Sequence, residues 1–306
     1  MRVRGATAAM ILAVALTACG DDGPDGGNDE QATSAPPGAA EGDQSAAGQG
    51  NASVDAAAIE ETVQGIIAAT QTKDAEAFLA LVTDRGLEGF DWGTREEITA
   101  GEGAFGQDDL SGLTIAETTV EGDTAAAVVD LAAGVGIVRL SLPLVREEGT
   151  WKVDGLEFLG SPPPRPGQEV VEIDAGDYAF TFDRTATSSG DFAIRFVNSG
   201  TEAHEITMFR APPDVPLVDA TAALSDVDGG ALDNVPPPFE LVDHITFAEP
   251  GQTVDFQFAE PLAPGHYIIA CYIPEGTVSE DDLEQAPADA MAHIKLGMIA
   301  DFTVDG

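Results

Sequence analysis

Residues 264–271 read Pro-Gly-His-Tyr-Ile-Ile-Ala-Cys, a turn signal followed by an aromatic and β-branched run that ends on one of only two cysteines in the chain. In an extended chain successive side chains point to opposite faces, so Tyr267, Ile269 and Cys271 share one face. His266 falls on the other and is expected at the surface. The same period of two recurs on both sides of this run, at Tyr178, Phe180 and Phe182, at Phe192, Ile194 and Phe196, and at Ile206 and Met208. It returns at Val254, Phe256 and Phe258, and at Met298, Ala300, Phe302 and Val304. Asn198-Ser199-Gly200 and Glu249-Pro250-Gly251 supply breaks between runs. Several short strands with one aromatic and one polar face predict an all-β Greek-key sandwich or barrel over residues 168–306. Residues 211–243 lack the alternation, are rich in Pro and Asp, and are expected to form an irregular insertion with a short helix.

Cys271 has no disulfide partner once Cys19 is assigned elsewhere, as below. A buried, inert thiol is the plain reading of such a residue. Its company suggests more: His204 follows the turn of residues 197–203, and His293 is followed five positions later by Met298. One thiolate, two imidazoles and one thioether make the ligand set of a blue-copper electron-transfer site, in which His₂Cys binding is completed by a weak axial Met. His244 has no ligand motif beside it and is expected to be structural or exposed. Met291 is the one spare thioether near His293.

The motifs "FVNSGTEAHEI", "PGHYIIAC" and "HIKLGMIADFTV" appear in that order, and with them residues 168–306 resemble a cupredoxin of the plastocyanin and azurin type. The resemblance implies His204, Cys271 and His293 as strong copper ligands, Met298 as the axial one, and single-electron transfer to a protein partner as the function. One departure is plain. The family usually carries Cys, second His and Met on one tight loop, whereas 21 residues lie between Cys271 and His293 here, including the acidic run 280–284. Closing a longer loop costs only logarithmically more entropy, so a site remains possible, but the local chain no longer enforces its geometry.

Upstream, residues 161–167 hold four prolines and predict a semi-rigid linker. Residues 54–160 change character midway. Ile59, Val63, Ile66, Ile67 and Thr70 fall at helical spacing, and Ala77, Phe78, Leu81 and Val82 continue it after a break at Lys73-Asp74. Beyond Gly112 come β-like runs with turns at 121–123 and 147–149. The order helix, helix, hairpin strands, closing on "LVREEGTWKVDGLEFL", looks like the NTF2-like α+β cone. Enzymes of that superfamily use His or Asp bases, but residues 54–160 contain no His or Cys. Only Asp91, Glu96 and Glu97 remain, in a chain with acids everywhere, and they are expected to be solvated. The domain is read as a binding or spacing module, and the whole protein as a non-enzyme.

The N-terminus reads as an export signal: Arg2 and Arg4, an apolar run from Ala8 to Leu16, then Leu16-Thr17-Ala18-Cys19. That ending resembles a bacterial lipobox, which implies removal of residues 1–18, lipidation of Cys19, and attachment to the extracytoplasmic side of a cell membrane. Residues 19–53 are almost without aromatic or branched aliphatic side chains and are expected to be a disordered tether.

The chain of 306 residues carries 13 Lys+Arg against 54 Asp+Glu, a formal charge of −41, and loss of the signal removes two arginines and no acid. Such a surface repels phosphate and excludes nucleic acid as a partner. Two cysteines and four histidines exclude a disulfide scaffold and a multi-Cys zinc site. Oxidation of a substrate is disfavoured, because a lone mononuclear copper lacks the second metal cluster that reduction of oxygen or nitrite would need. Two classes stay open: an envelope-anchored copper electron carrier, and a metal-free or copper-sequestering module on the same sandwich.

Overall fold

The computed structural model describes residues 45–227, 234–283, 285–287 and 289–306. Residues 1–18 and Cys19, read as signal and lipid site, lie outside the described residues, as does the tether up to residue 44. The chain divides into two compact units, the first holding residues up to 129 with 140–158, the second 130–139 with 159–306. The first combines helices with a sheet, and the second is dominated by β-sheet.

The first unit opens with a helix, α1 (Ser45–Thr72), that begins inside the stretch expected to be tether. It ends at Lys73, whose φ of 55° leaves the helical region, and Asp74 then caps α2 (Ala75–Leu81) by accepting from the Ala77 N–H. Two short helices follow, α3 (Asp84–Phe90) and α4 (Arg95–Ala100). Thr94 and Glu97 close a capping box at the start of α4, which gives Glu97 a local structural task. Asp91, Glu96 and Glu97 all stand exposed.

The helices lie against a five-stranded sheet in which β1 (Thr114–Glu121), β2 (Thr124–Ala133), β3 (Gly136–Glu147) and β4 (Thr150–Val153) follow in order and β5 (Glu157–Gly160) pairs with β3. Ile59, Val63 and Ile66 of α1 and Phe78 of α2 are buried, as are Val129, Leu142, Leu144, Trp151 and Val153 of the sheet. The Thr62 hydroxyl donates to the Trp151 carbonyl at 3.2 Å, fixing α1 against β4. No helix among the described residues is long and apolar enough to cross a membrane.

The second unit pairs two four-stranded sheets. One runs β11 (Thr253–Gln257), β8 (Phe192–Asn198), β6 (Glu169–Gly176), β7 (Ala179–Thr181); the other runs β10 (Glu240–Ala248), β9 (His204–Ala211), β12 (Gly265–Ala270), β13 (Ile299–Val304). All neighbours are antiparallel except β6 and β8. Phe192, Ile194, Phe196, Ile206, Met208, Phe258, Tyr267, Ile269, Cys271, Met298, Ala300, Phe302 and Val304 form one buried cluster. These are the inward positions of the period-two runs. β6 contributes Val171, Ile173 and Ala175 to the same core.

The second sheet is covered on its outer face as well. Residues 211–239 include a helix, α5 (Leu217–Leu224), and lay Ala220, Leu224 and Phe239 against Phe209, Ile268, Ala270 and Tyr272. This corrects the expectation for His266. It does face away from Cys271, as the alternation requires, but it is only 7% exposed and bonds through Nδ1 to the Pro212 carbonyl and through Nε2 to Asp301, each at 3.1 Å. The insertion that read as irregular is what buries it.

Candidate metal centre

β12 lies between β9 and β13, so its end is flanked on both sides. Ala270 pairs with Thr207 of β9 and with Ile299 of β13. Continuing both registers by one residue sets Cys271 across from Ile206 on one side and Met298 on the other. His204, at the start of β9, lies on the same inward face as Ile206 and Met208, because 204, 206 and 208 share parity. Topology alone therefore gathers His204, Cys271 and Met298 at one end of one sheet.

The turn that delivers His204 is built by Asn198, which is 1% exposed. Its side-chain oxygen accepts from the Gly200 N–H at 2.9 Å, and its amide nitrogen donates to the carbonyls of Glu202 and Ala248 at 2.8 and 2.9 Å. Gly200 packs on the site directly. A Cβ there would lie 2.8 Å from His204 Nε2 and 2.8 Å from Asp177 Oδ1. His204 is fully buried and has nowhere to retreat. Gly200→Ala is therefore expected to cost about 1–3 kcal/mol of stability by overpacking and to weaken metal uptake at His204. An unchanged melting temperature together with unchanged metal affinity would contradict this.

His293 arrives by a different route. The long connection from Cys271 leaves and returns through an antiparallel bridge between Pro274 and Ala292. Glu275 N–H donates to the Met291 carbonyl at 2.8 Å and His293 N–H to the Ile273 carbonyl at 3.0 Å. A 3-10 turn over His293–Leu296 follows, ending on Gly297 at φ 108°. Ile294 N–H donates to the Cys271 carbonyl, Cys271 N–H to the Met298 carbonyl, and Met298 N–H to the His293 carbonyl, at 2.8, 3.2 and 3.0 Å. Cys271, His293 and Met298 are thus stitched together by backbone hydrogen bonds, and the excursion between them is closed at its base.

The donor atoms converge. His204 Nδ1 and His293 Nδ1 stand 3.1 Å apart, and Cys271 Sγ lies 3.4 Å from His293 Nδ1 and 4.0 Å from His204 Nδ1. His204, Cys271, His293 and Met298 are all 0% exposed. Among the described residues His204, Cys271 and His293 form a group able to hold a metal ion, with all three ligand atoms within 4.8 Å of one another. Met298 shares the hydrophobic cluster with Cys271, whereas Met291 is 46% exposed. His244 is half-exposed, 3.0 Å from the Thr207 hydroxyl and outside the donor group.

Electrostatics keep both imidazoles neutral. Burial, reinforced by His293, pulls His204 down to about 4, and burial also lowers His293 although Glu202 opposes it. Burial, with the Glu205 carboxylate adding to it, pushes the Cys271 thiol far above its usual range. The thiol proton must therefore leave when a metal enters, and the Glu205 N–H, 3.4 Å from Sγ, is in place to stabilise the sulfur charge that results.

Sequence reading missed the groups around the donors. Glu202 accepts from His293 Nε2 at 2.9 Å, from the Gly276 N–H at 2.9 Å and from the Tyr178 hydroxyl at 3.2 Å. The Tyr178 ring meets His293 edge-on at 5.0 Å, from a left-handed φ of 61°. Glu202 sits inside the quoted motif before His204, but one acid among 54 carries no distinguishing signal.

No protein-family model and no curated protein matches the chain. Several solved structures are similar to parts of it. The dithionite-reduced auracyanin of Roseiflexus castenholzii aligns at 22% identity and a TM-score of 0.27, covering 45% of this chain and 98% of its own. A structure of auracyanin B aligns at 21% and 0.28, covering 48% of this chain and 96% of its own. An NTF2-like protein of unknown function from Shewanella baltica aligns at 14% and 0.27, covering 36% of this chain and 97% of its own.

Proposed function

We propose that the second unit is a cupredoxin-like domain holding one copper ion at His204, Cys271 and His293, with Met298 as weak axial ligand, and that the protein is an electron carrier and not an enzyme. The observation that carries this reading is the convergence of two imidazole nitrogens and one sulfur, from three separate segments, in a fully buried pocket. Donors ~2.0–2.3 Å from a shared centre in a trigonal plane stand about 3.5 Å apart, and the three separations of 3.1, 3.4 and 4.0 Å straddle that value. Thiolate and imidazole favour copper over hard cations, and a thioether beside them strengthens the preference.

Bound copper would supply one-electron chemistry. The chain's own residues do the rest. The sandwich excludes water, the Cys271–Met298 and His293–Met298 backbone bonds hold the donors in a fixed frame, and the Glu205 N–H supports the sulfur. A frame that moves little between two charge states suits transfer of single electrons to and from a redox protein.

The test is optical. One equivalent of copper(II) added to the purified chain lacking residues 1–18 should produce an intense visible thiolate band, and zinc should produce none. Absence of that band with stoichiometric copper bound would replace the electron carrier with a metal-free or copper-sequestering module.

The N-terminal leader motif supports a proposed location. The protein is proposed to be exported and anchored by lipid on Cys19 at the extracytoplasmic side of the membrane, with residues 54–160 as a binding or spacing module of NTF2-like type. Cys19→Ala should move the protein from the membrane to the soluble fraction; retention in the membrane would reject the anchor.

A further inference from the structure

Glu202 joins three segments at the outer edge of the donor group. Its own carbonyl accepts from Asn198 Nδ2 at 2.8 Å, so its backbone belongs to the turn before β9. Its carboxylate takes the Tyr178 hydroxyl from the β6–β7 turn on Oε1, and the Gly276 N–H together with His293 Nε2 on Oε2. Beside it the Ala203 N–H donates to the Thr277 carbonyl at 2.8 Å.

A carboxylate only accepts. His293 Nε2 must therefore carry the proton, and the lone pair is left on Nδ1, the atom 3.4 Å from Cys271 Sγ. His204 is held differently: its Nε2 is buried with no hydrogen-bond partner among the described residues. The two imidazoles are chemically unequal.

We infer that Glu202 is the positioning residue of the candidate copper centre, replacing the tight loop that this chain lacks: it fixes the ring and tautomer of His293, ties the long 272–292 excursion to the site, and stabilises the higher-charged metal state. The inference rests on the copper reading above. The physical reasons are separate from one another. A carboxylate on the outer nitrogen orients a ligating imidazole and raises its basicity, and a fixed negative charge close to the metal favours copper(II) over copper(I).

Three variants of the chain test it. Glu202→Gln keeps shape and loses charge, so copper(II) affinity should fall about 10–100-fold with copper(I) affinity changing less. Each tenfold change in that ratio raises the potential of a one-electron couple by about 59 mV. Tyr178→Phe, which removes one hydrogen bond to the carboxylate, should shift the potential in the same direction by less, and both variants should keep the thiolate band. In the metal-free protein, imidazole nitrogen NMR should show His293 wholly as the Nε2–H tautomer, becoming a tautomer mixture in Glu202→Ala.

A wild-type band with unchanged affinity and potential in Glu202→Gln would overturn the electrostatic role. An unchanged His293 tautomer in Glu202→Ala would overturn the positioning role, with or without copper. Failure of the wild-type chain to give any thiolate band would instead reject the copper reading, leaving the tautomer experiment to decide the positioning claim by itself.

Discussion

Cys271→Ser is expected to abolish the visible band of the copper-loaded protein outright and to reduce copper affinity by more than the ~10–100-fold that loss of an outer hydrogen-bond partner costs. Among the described residues Sγ is the one soft donor of the group that becomes anionic, and a serine hydroxyl buried to 0% exposure does not ionise there. The substitution is nearly isosteric, so the fold should persist and the loss should be specific to metal. His204→Ala and His293→Ala should weaken or shift the band, since each leaves the sulfur and one imidazole. Met298→Leu should keep the colour and change the potential, because the axial group tunes the metal more than it holds it. Absorption titrations of the four variants against wild type decide the matter: a Cys271→Ser protein that stays coloured would exclude Sγ as a ligand.

The second large effect concerns the outer face of β12. Ile268 is 0% exposed and packs with Phe209, Leu224 and Phe239 beneath the 211–239 insertion. Ile268→Ala should therefore cost about 2–5 kcal/mol, as much as the same change at Ile269 in the inner core. At ~2–4 °C per kcal/mol for a unit of this size, the melting temperature should fall roughly 4–20 °C. Leu241, 37% exposed on β10, is the control, and its change to Ala should stay within about 0.5 kcal/mol. Were Ile268→Ala as mild as Leu241→Ala, the insertion would not be packed on the sheet.

The contrast between Ile268 and Ile269 marks how far the sequence reaches. Alternation identified Tyr267, Ile269 and Cys271 as co-facial, and they are. It also put His266 opposite them, and it is there. It had no means of telling that the opposite face is covered, because residues 211–243 carry no period and most of their packing partners, Ile268, Ala270 and Tyr272, lie on a segment distant in the chain. β6 and β10 were missed for a related reason. Acids such as Glu172 and Asp243 interrupt their apolar runs, in a chain where acids occur throughout.

The sequence by itself determined the inward faces of the strands, the change from helical to β character within residues 54–160, the strongly negative charge, and the identity of the four candidate ligands. Each depends on residue type and local period, which a strand's two-residue repeat or a helix's 3.6-residue repeat writes directly into the chain. Only the tertiary structure decided that the donors meet. Cys271 and His293 are separated by 21 intervening residues in the chain, and what returns one to the other is the Pro274–Ala292 bridge and a ladder of backbone hydrogen bonds. Backbone groups are the same in every residue, so no side-chain pattern announces that closure. The same holds for Glu202: its place beside His293 comes from three turns meeting at one point, a coincidence in space that a linear chain of many acids cannot display.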